Sequence, residues 1–364
     1  MKKVLFLIVM LLTLHQGHAQ HEQEVVIQHK DAKGRQVVLA GTLTKPDGKA
    51  PRGGWPAMVL ITGSGSQNRN EELLGHQPFK VMADYMARNG IATLRCDDRG
   101  VGGSGGVFAD VTPWDLVADI HTQWQWLASV KGISAKQVGL LGHSEGGLLA
   151  TLSAAQNGKV AFVVTMAGPA LPMIETLIDQ NQQLFALRGL PDTLVQRRVD
   201  FVRQALAVCC NMGGSDTTQL VKRLNRELRQ LKDTIAQGLT KAEKQSIGLT
   251  TAECYGWAQT MATPYMLTML HINPADYLAQ MRCPMFALCG ELDCQVGAAQ
   301  NLDAVRQALE GRGISWSTLL CTGMNHLFQH CQTGTVEEYA TLGQSPADEV
   351  LKAIAGWIQG EMAN

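Results

Sequence analysis

Apolar positions along most of this chain fall into two alternating rhythms. Short apolar runs at Ala57 to Thr62, Ile91 to Arg95, Val138 to Leu141, Val160 to Met166, Pro284 to Cys289 and Trp316 to Cys321 read as buried strands. Between them, helical spacing predicts helices over Pro78 to Arg88, Pro113 to Leu127, Leu148 to Asn157, Ala298 to Leu309 and Ala347 to Met362. Strand and helix in alternation imply an α/β protein, a mostly parallel twisted sheet covered by helices on both faces. The β-rich stretches Glu24 to His29 and Gln36 to Leu43, separated by the turn signal Asp31-Ala-Lys-Gly34, predict an antiparallel hairpin at one edge.

The rhythm breaks between about Ala170 and Met281. That stretch is helical by pattern, with interruptions at Gly189-Leu-Pro191, Gly213-Gly214 and Gly238, and one of its helices is expected over Glu253 to His271. Leu220, Leu224, Leu228, Leu231 and Ile235 mark an apolar stripe whose opposite face is basic and solvated. The expected organisation is a core from residues 20–169 and 282–364, with residues 170–281 inserted as a helical cap over the strand ends.

Composition narrows the picture. With 45% hydrophobic and 17% charged residues the chain can bury a large core, and a net charge of -1 offers no basic surface for nucleic acid. Lys2 and Lys3, the apolar run Val4 to Leu12 and the small residues of Gly17-His18-Ala19 predict a signal peptide over residues 1–19. The run is too short to span a bilayer, so an exported protein, periplasmic or secreted and without stable membrane insertion, is expected. Nine cysteines exclude a fully paired disulfide scaffold, although Cys294 and Cys331 could pair in an oxidising compartment.

The chemistry centres on Gly142-His-Ser-Glu-Gly146, where an apolar strand turns sharply into a helix. Such a turn strains the serine backbone and pushes the Ser144 hydroxyl outward, with the Glu145 N–H at a helix N-terminus. A serine nucleophile needs a base and a carboxylate to orient it. His326 follows the last strand, and Asp293 follows the strand before it, with Glu291 as a rival acid. The order Ser144, Asp293, His326 suits one sheet. The oxyanion hole is expected from the N–H groups of Glu145 and Ser64, with Gly65 the second choice on that loop. Gly65, Trp257 and Tyr265 are the expected substrate-binding residues. Glu145 is read as complementing the helix dipole or pairing with Arg69 or Arg99, and alternatively as an anchor for a substrate cation. Gly100-Val-Gly-Gly-Ser-Gly105 spells a dinucleotide fingerprint but lacks the helix start it needs. No cofactor is implied, and His326, His330, Cys331 and Cys294 lack metal-ligand spacing.

Together, Ile61-Thr-Gly-Ser-Gly65, Asp97-Asp-Arg-Gly-Val-Gly102, Gly142-His-Ser-Glu-Gly146, Gly290-Glu-Leu-Asp293 and Gly323-Met-Asn-His326 resemble the α/β-hydrolase superfamily, in its secreted carboxylesterase and serine-aminopeptidase-like branch. The resemblance implies a serine hydrolase acting on small-molecule carboxylic esters of small to medium acyl groups. A peptidase or thioesterase using the same residues, or a binding protein retaining the fold, are the alternatives. Two departures from the usual pattern, Thr62 where relatives place His and Glu145 where many place Met, bear on the substrate. Oligomeric state is not legible.

Overall fold

The computed structural model describes residues 21–363 apart from Ser215 and Gln344, so the expected signal peptide lies outside the described residues. Eight strands form one sheet: β1 (His21–Lys30), β2 (Gln36–Lys45), β3 (Trp55–Ile61), β4 (Ala92–Cys96), β5 (Ile133–His143), β6 (Val163–Met166), β7 (Met285–Gly290) and β8 (Trp316–Cys321). Their spatial order is β1-β2-β4-β3-β5-β6-β7-β8. The hairpin β1–β2 and the β2–β4 pair are antiparallel, and every other neighbour is parallel. The Asp31 turn closes the hairpin through Gly34 N–H to Asp31 O.

Strict side-chain alternation sorts the strand residues into two cores. Ala57, Val59, Val138, Leu140, Val163, Met285 and Ala287 face one side, where α2 (Pro113–Ser129), α3 (Glu145–Gln156) and α11 (Ala298–Leu309) cover them. Met58, Leu60, Leu141, Val164, Phe286 and Leu288 face the other, under α1 (Pro78–Arg88) and α12 (Asp348–Ala363). The apolar runs read as continuous because both faces are buried.

Seven helices separate β6 from β7: α4 (Met173–Leu187), α5 (Asp192–Cys210), α6 (Thr217–Ile235), α7 (Lys241–Ser246), α8 (Thr251–Met261), α9 (Pro264–Met269) and α10 (Pro274–Leu278). The breaks after α4, α5 and α6 fall at the Gly and Pro positions named above, and those after α7, α8 and α9 were not marked. The single helix expected over Glu253 to His271 is instead two, because Pro264 cannot donate to the helix preceding it and Thr263 caps a new one by accepting Met266 N–H at 3.2 Å. These helices enclose an apolar core of their own, built around Phe185, Val199, Phe201, Leu224, Leu228 and Cys254. Met269, Ile272, Leu278 and Met281 leave that core and join the one against the sheet.

All nine cysteines are unpaired. The Cys294 thiol lies 3.3 Å from Gly334 O and the Cys331 thiol 3.6 Å from Gly323 O, so the two expected partners turn to separate carbonyls. Among the described residues no helix is long and apolar enough to cross a membrane.

Candidate active site

β5 ends at His143 and α3 begins at Glu145, which leaves Ser144 alone to make the turn. Its φ of 54° and ψ of -125° are strained for a residue with a side chain. Ser144 N–H donates to Met166 O at 2.8 Å, and Ser144 O accepts Gly147 N–H at 2.9 Å. The glycines make the turn possible. A Cβ on Gly142 would stand 2.0 Å from Gly146 O, and one on Gly146 would stand 2.2 Å from Ile61 O.

The loop after β7 carries Asp293, buried and fully used: Oδ1 accepts the N–H groups of Gln295 (2.8 Å) and Val296 (2.9 Å), and Oδ2 lies 2.7 Å from His326 Nδ1. Nδ1 therefore carries a proton, leaving Nε2 free to act as a base. The His326 loop is moulded by Asn325, whose Oδ1 accepts the N–H groups of Leu327 and Gln329 at 3.0 Å each. Gly290 lets that loop approach, since a Cβ there would lie 2.4 Å from Asn325 O. The rival acid Glu291 is exposed and accepts Gly323 N–H at 2.8 Å.

Ser144 and His326 line one cleft of about 210 Å³ with Gly63, Ser64, Gln67, Glu71, Leu73, His143, Gln295 and Leu327. Among the described residues no hydrogen bond joins the Ser144 hydroxyl to His326. In a serine–histidine pair that contact commonly tightens only once substrate is bound. The N–H groups of Ser64 and Glu145 take no acceptor among the described residues, whereas the Gly63 N–H is occupied by Glu71 Oε1 at 2.6 Å. Gly65, exposed with φ 89°, turns the loop away behind them.

Glu145 does not pair with either arginine. Arg69 holds Asp97 (2.8 Å) and Glu24 (2.6 Å), and Arg99 is buried against Asp119 at 2.7 Å. Glu145 instead accepts the Ser64 hydroxyl at 3.2 Å and faces the Tyr265 phenol, which comes from the cap and closes no hydrogen bond of normal geometry. Burial raises its carboxyl pKa, and the two hydroxyls pull it back. Beside it, burial pushes Asp98 up to about 7, opposed by Gln67 N–H and Thr62 and reinforced by Glu145 and Glu71. Trp257, expected in the substrate wall, packs inside the cap against Phe201, with Arg198 stacked 5.5 Å from its ring centre. An aromatic ring beside a buried guanidinium serves the cap core, and sequence spacing could not separate that role from pocket lining.

Sequence reasoning missed Glu71, Asp98 and Asn325, and passed over His143. His143 Nδ1 lies 3.0 Å from Glu71 Oε1 and Nε2 lies 3.0 Å from His326 O. Burial works against its imidazolium, but the Glu71 carboxylate outweighs burial and the net pKa is raised. His143 and Asn325 were signalled by adjacency to Ser144 and His326. Glu71 had no signal, because its place at the site depends on an irregular loop.

This strand order, with a strained serine where β5 meets α3, defines an α/β hydrolase. Residues 77–300 match the family described as "Serine aminopeptidase, S33", and the chain belongs to that hydrolase family. A 154-residue stretch is 32% identical to esterase EstD of Thermotoga maritima, covering 41% of this chain and only 35% of that protein. The fold is similar to a hypothetical protein from Pseudomonas aeruginosa (TM-score 0.55, 14% identity, 94% of each chain). It is also similar to an esterase from Pyrococcus furiosus (TM-score 0.52, 14% identity, 94% of this chain and 92% of that one). A third similar structure is a puromycin-hydrolyzing peptidase of Mycobacterium tuberculosis (TM-score 0.54, 12% identity, 93% of this chain and 40% of that one).

Proposed function

We propose that this hydrolase is a serine esterase acting on small-molecule carboxylic esters with small to medium acyl groups. Ser144 attacks the acyl carbonyl while His326 Nε2 takes its proton, and Asp293 stabilises the imidazolium. The N–H groups of Ser64 and Glu145 receive the oxyanion. The alcohol leaves with the proton from His326, and water, activated by the same histidine, hydrolyses the acyl-enzyme. What carries the reading is the strained Ser144 sharing one cleft with a histidine already fixed 2.7 Å from a buried aspartate.

The esterase preference rests on size and polarity. A cleft of about 210 Å³ with Leu73 and Leu327 in its wall suits a short apolar acyl group and excludes folded protein chains. Export of the mature chain after residue 19 belongs to the same proposal. One observation favours a second reading, an aminopeptidase: Glu145, next to Ser144 in sequence, and Asp98, which lines a neighbouring cavity with it, have no cationic partner among the described residues, and a substrate ammonium would supply one.

A panel of p-nitrophenyl esters of increasing acyl length beside aminoacyl p-nitroanilides separates the two. The esterase reading expects the highest kcat/KM on a short or medium ester and little effect of Glu145→Gln on it. Faster cleavage of the anilides than of every ester, abolished selectively by Glu145→Gln, would replace it with the aminopeptidase reading.

A further inference from the structure

Glu71 and His143 have no part in the steps above, yet they lie in the floor of the cleft, 5% and 7% exposed. Glu71 Oε1 accepts the Gly63 N–H at 2.6 Å and faces His143 Nδ1 at 3.0 Å, while His143 Nε2 lies 3.0 Å from His326 O. A carbonyl oxygen only accepts, so Nε2 carries a proton. An ionised carboxylate also only accepts, so Nδ1 carries the other. We propose that Glu71 and His143 form a buried carboxylate–imidazolium pair that positions the Ser64 loop and the His326 turn relative to Ser144.

The topology shows why such a link has work to do. Ser64 follows β3 and His326 follows β8, at opposite ends of the β3-β5-β6-β7-β8 run, so no strand pairing ties their loops together. Three hydrogen bonds bridge them, from Gly63 through Glu71 and His143 to His326 O, and His143 directly precedes the nucleophile. Glu71 sits at φ 53° and closes a turn through its N–H to Asn68 O at 2.9 Å, and the His143 and His326 rings lie 4.8 Å apart. Gly63 is the residue before Ser64, so freeing its N–H would let the oxyanion donor turn. Both residues are positioning residues and touch no reacting atom. A buried ion pair with one partner removed leaves a group that must lose its charge, so the two act as a unit.

The inference rests on the Ser144–His326–Asp293 reading, and the test keeps the two apart. Among the described residues Glu71 Oε2 has no partner, so Glu71→Gln with its nitrogen there keeps the oxygen that accepts the Gly63 N–H while removing the charge. In 15N-histidine-labelled wild type at pH 7, His143 should show two protonated ring nitrogens, and in Glu71→Gln only one. Turnover of p-nitrophenyl butyrate by Glu71→Gln should fall on the order of 10²-fold in kcat with KM nearly unchanged. His143→Gln, whose amide can still donate to His326 O, should retain more kcat than His143→Ala, which decides the matter if Glu71→Gln does not fold. A neutral His143 in wild type, wild-type kinetics in Glu71→Gln, or equal kcat in the two His143 variants would overturn the proposal. Ser144→Ala is run alongside. If it is inactive while Glu71→Gln behaves as wild type, only the positioning role fails, whereas persisting turnover in Ser144→Ala removes the serine reading itself.

Discussion

Asp293 and Glu291 stand two positions apart on one loop, and environment alone separates them. Asp293 is buried with its second oxygen on His326, whereas Glu291 is exposed and caps a turn. Asp293→Asn should therefore lower kcat/KM by on the order of 10⁴-fold through the wrong histidine tautomer, with Tm little changed. Glu291→Gln should stay within a few-fold of wild type, and the reverse ranking in steady-state kinetics would move the acid to Glu291. Asp98 makes a pH prediction. Its ordinary pKa of 3.8 rises to about 7 in the fold, so the native state favours the neutral form. Its contribution is fully present below pH ~4 and is lost as pH rises through about 7. Asn does not titrate, so the urea midpoint of Asp98→Asn relative to wild type should be higher at pH 8 than at pH 4. A pH-independent difference would contradict this.

At the scale of elements, the elbow and the final helix assign glycine opposite values. Gly146→Ala would force Cβ to within 2.2 Å of Ile61 O, where backbone of β3 cannot give way, and should cost at least ~2 kcal/mol. Gly356 lies on the exposed face of α12 with open space around it, so Gly356→Ala should gain ~0.5–1 kcal/mol by helix propensity. Chemical denaturation of the two variants checks both signs. The same contrast explains what was legible in the sequence. Helices α1 and α11 match their expected limits because Pro78 opens the first, Asn89 follows its end, and both carry a clear apolar face. β5 runs back to Ile133, further than expected, since the stretch Ser134-Ala-Lys-Gln137 between Ile133 and Val138 is largely polar and interrupts the apolar run. The Pro264 break was written in Thr263-Pro264 and was hidden by the aromatic and Met residues on either side.

At the scale of the whole molecule, one core lies on each face of the sheet, and the helices inserted between β6 and β7 have a third core of their own. The cap root is tied to the sheet layer by Asn301, which accepts Ala170 N–H at 2.8 Å, and by Gln300, which donates to Asp179 at 2.7 Å. The placement of Ser144, Asp293 and His326 was legible because each follows a strand that the apolar rhythm marks. The Glu71–His143 bridge and the Asp98–Glu145 wall were not, since they join loops far apart in sequence. All of this depends on Ser144 being the nucleophile. Mass-spectrometric mapping of the mature protein after treatment with a fluorophosphonate tests that most directly. A single adduct on Ser144, lost in His326→Ala while the fold persists, is the expected result. An adduct on another residue, or folded protein that remains unlabelled, would contradict it.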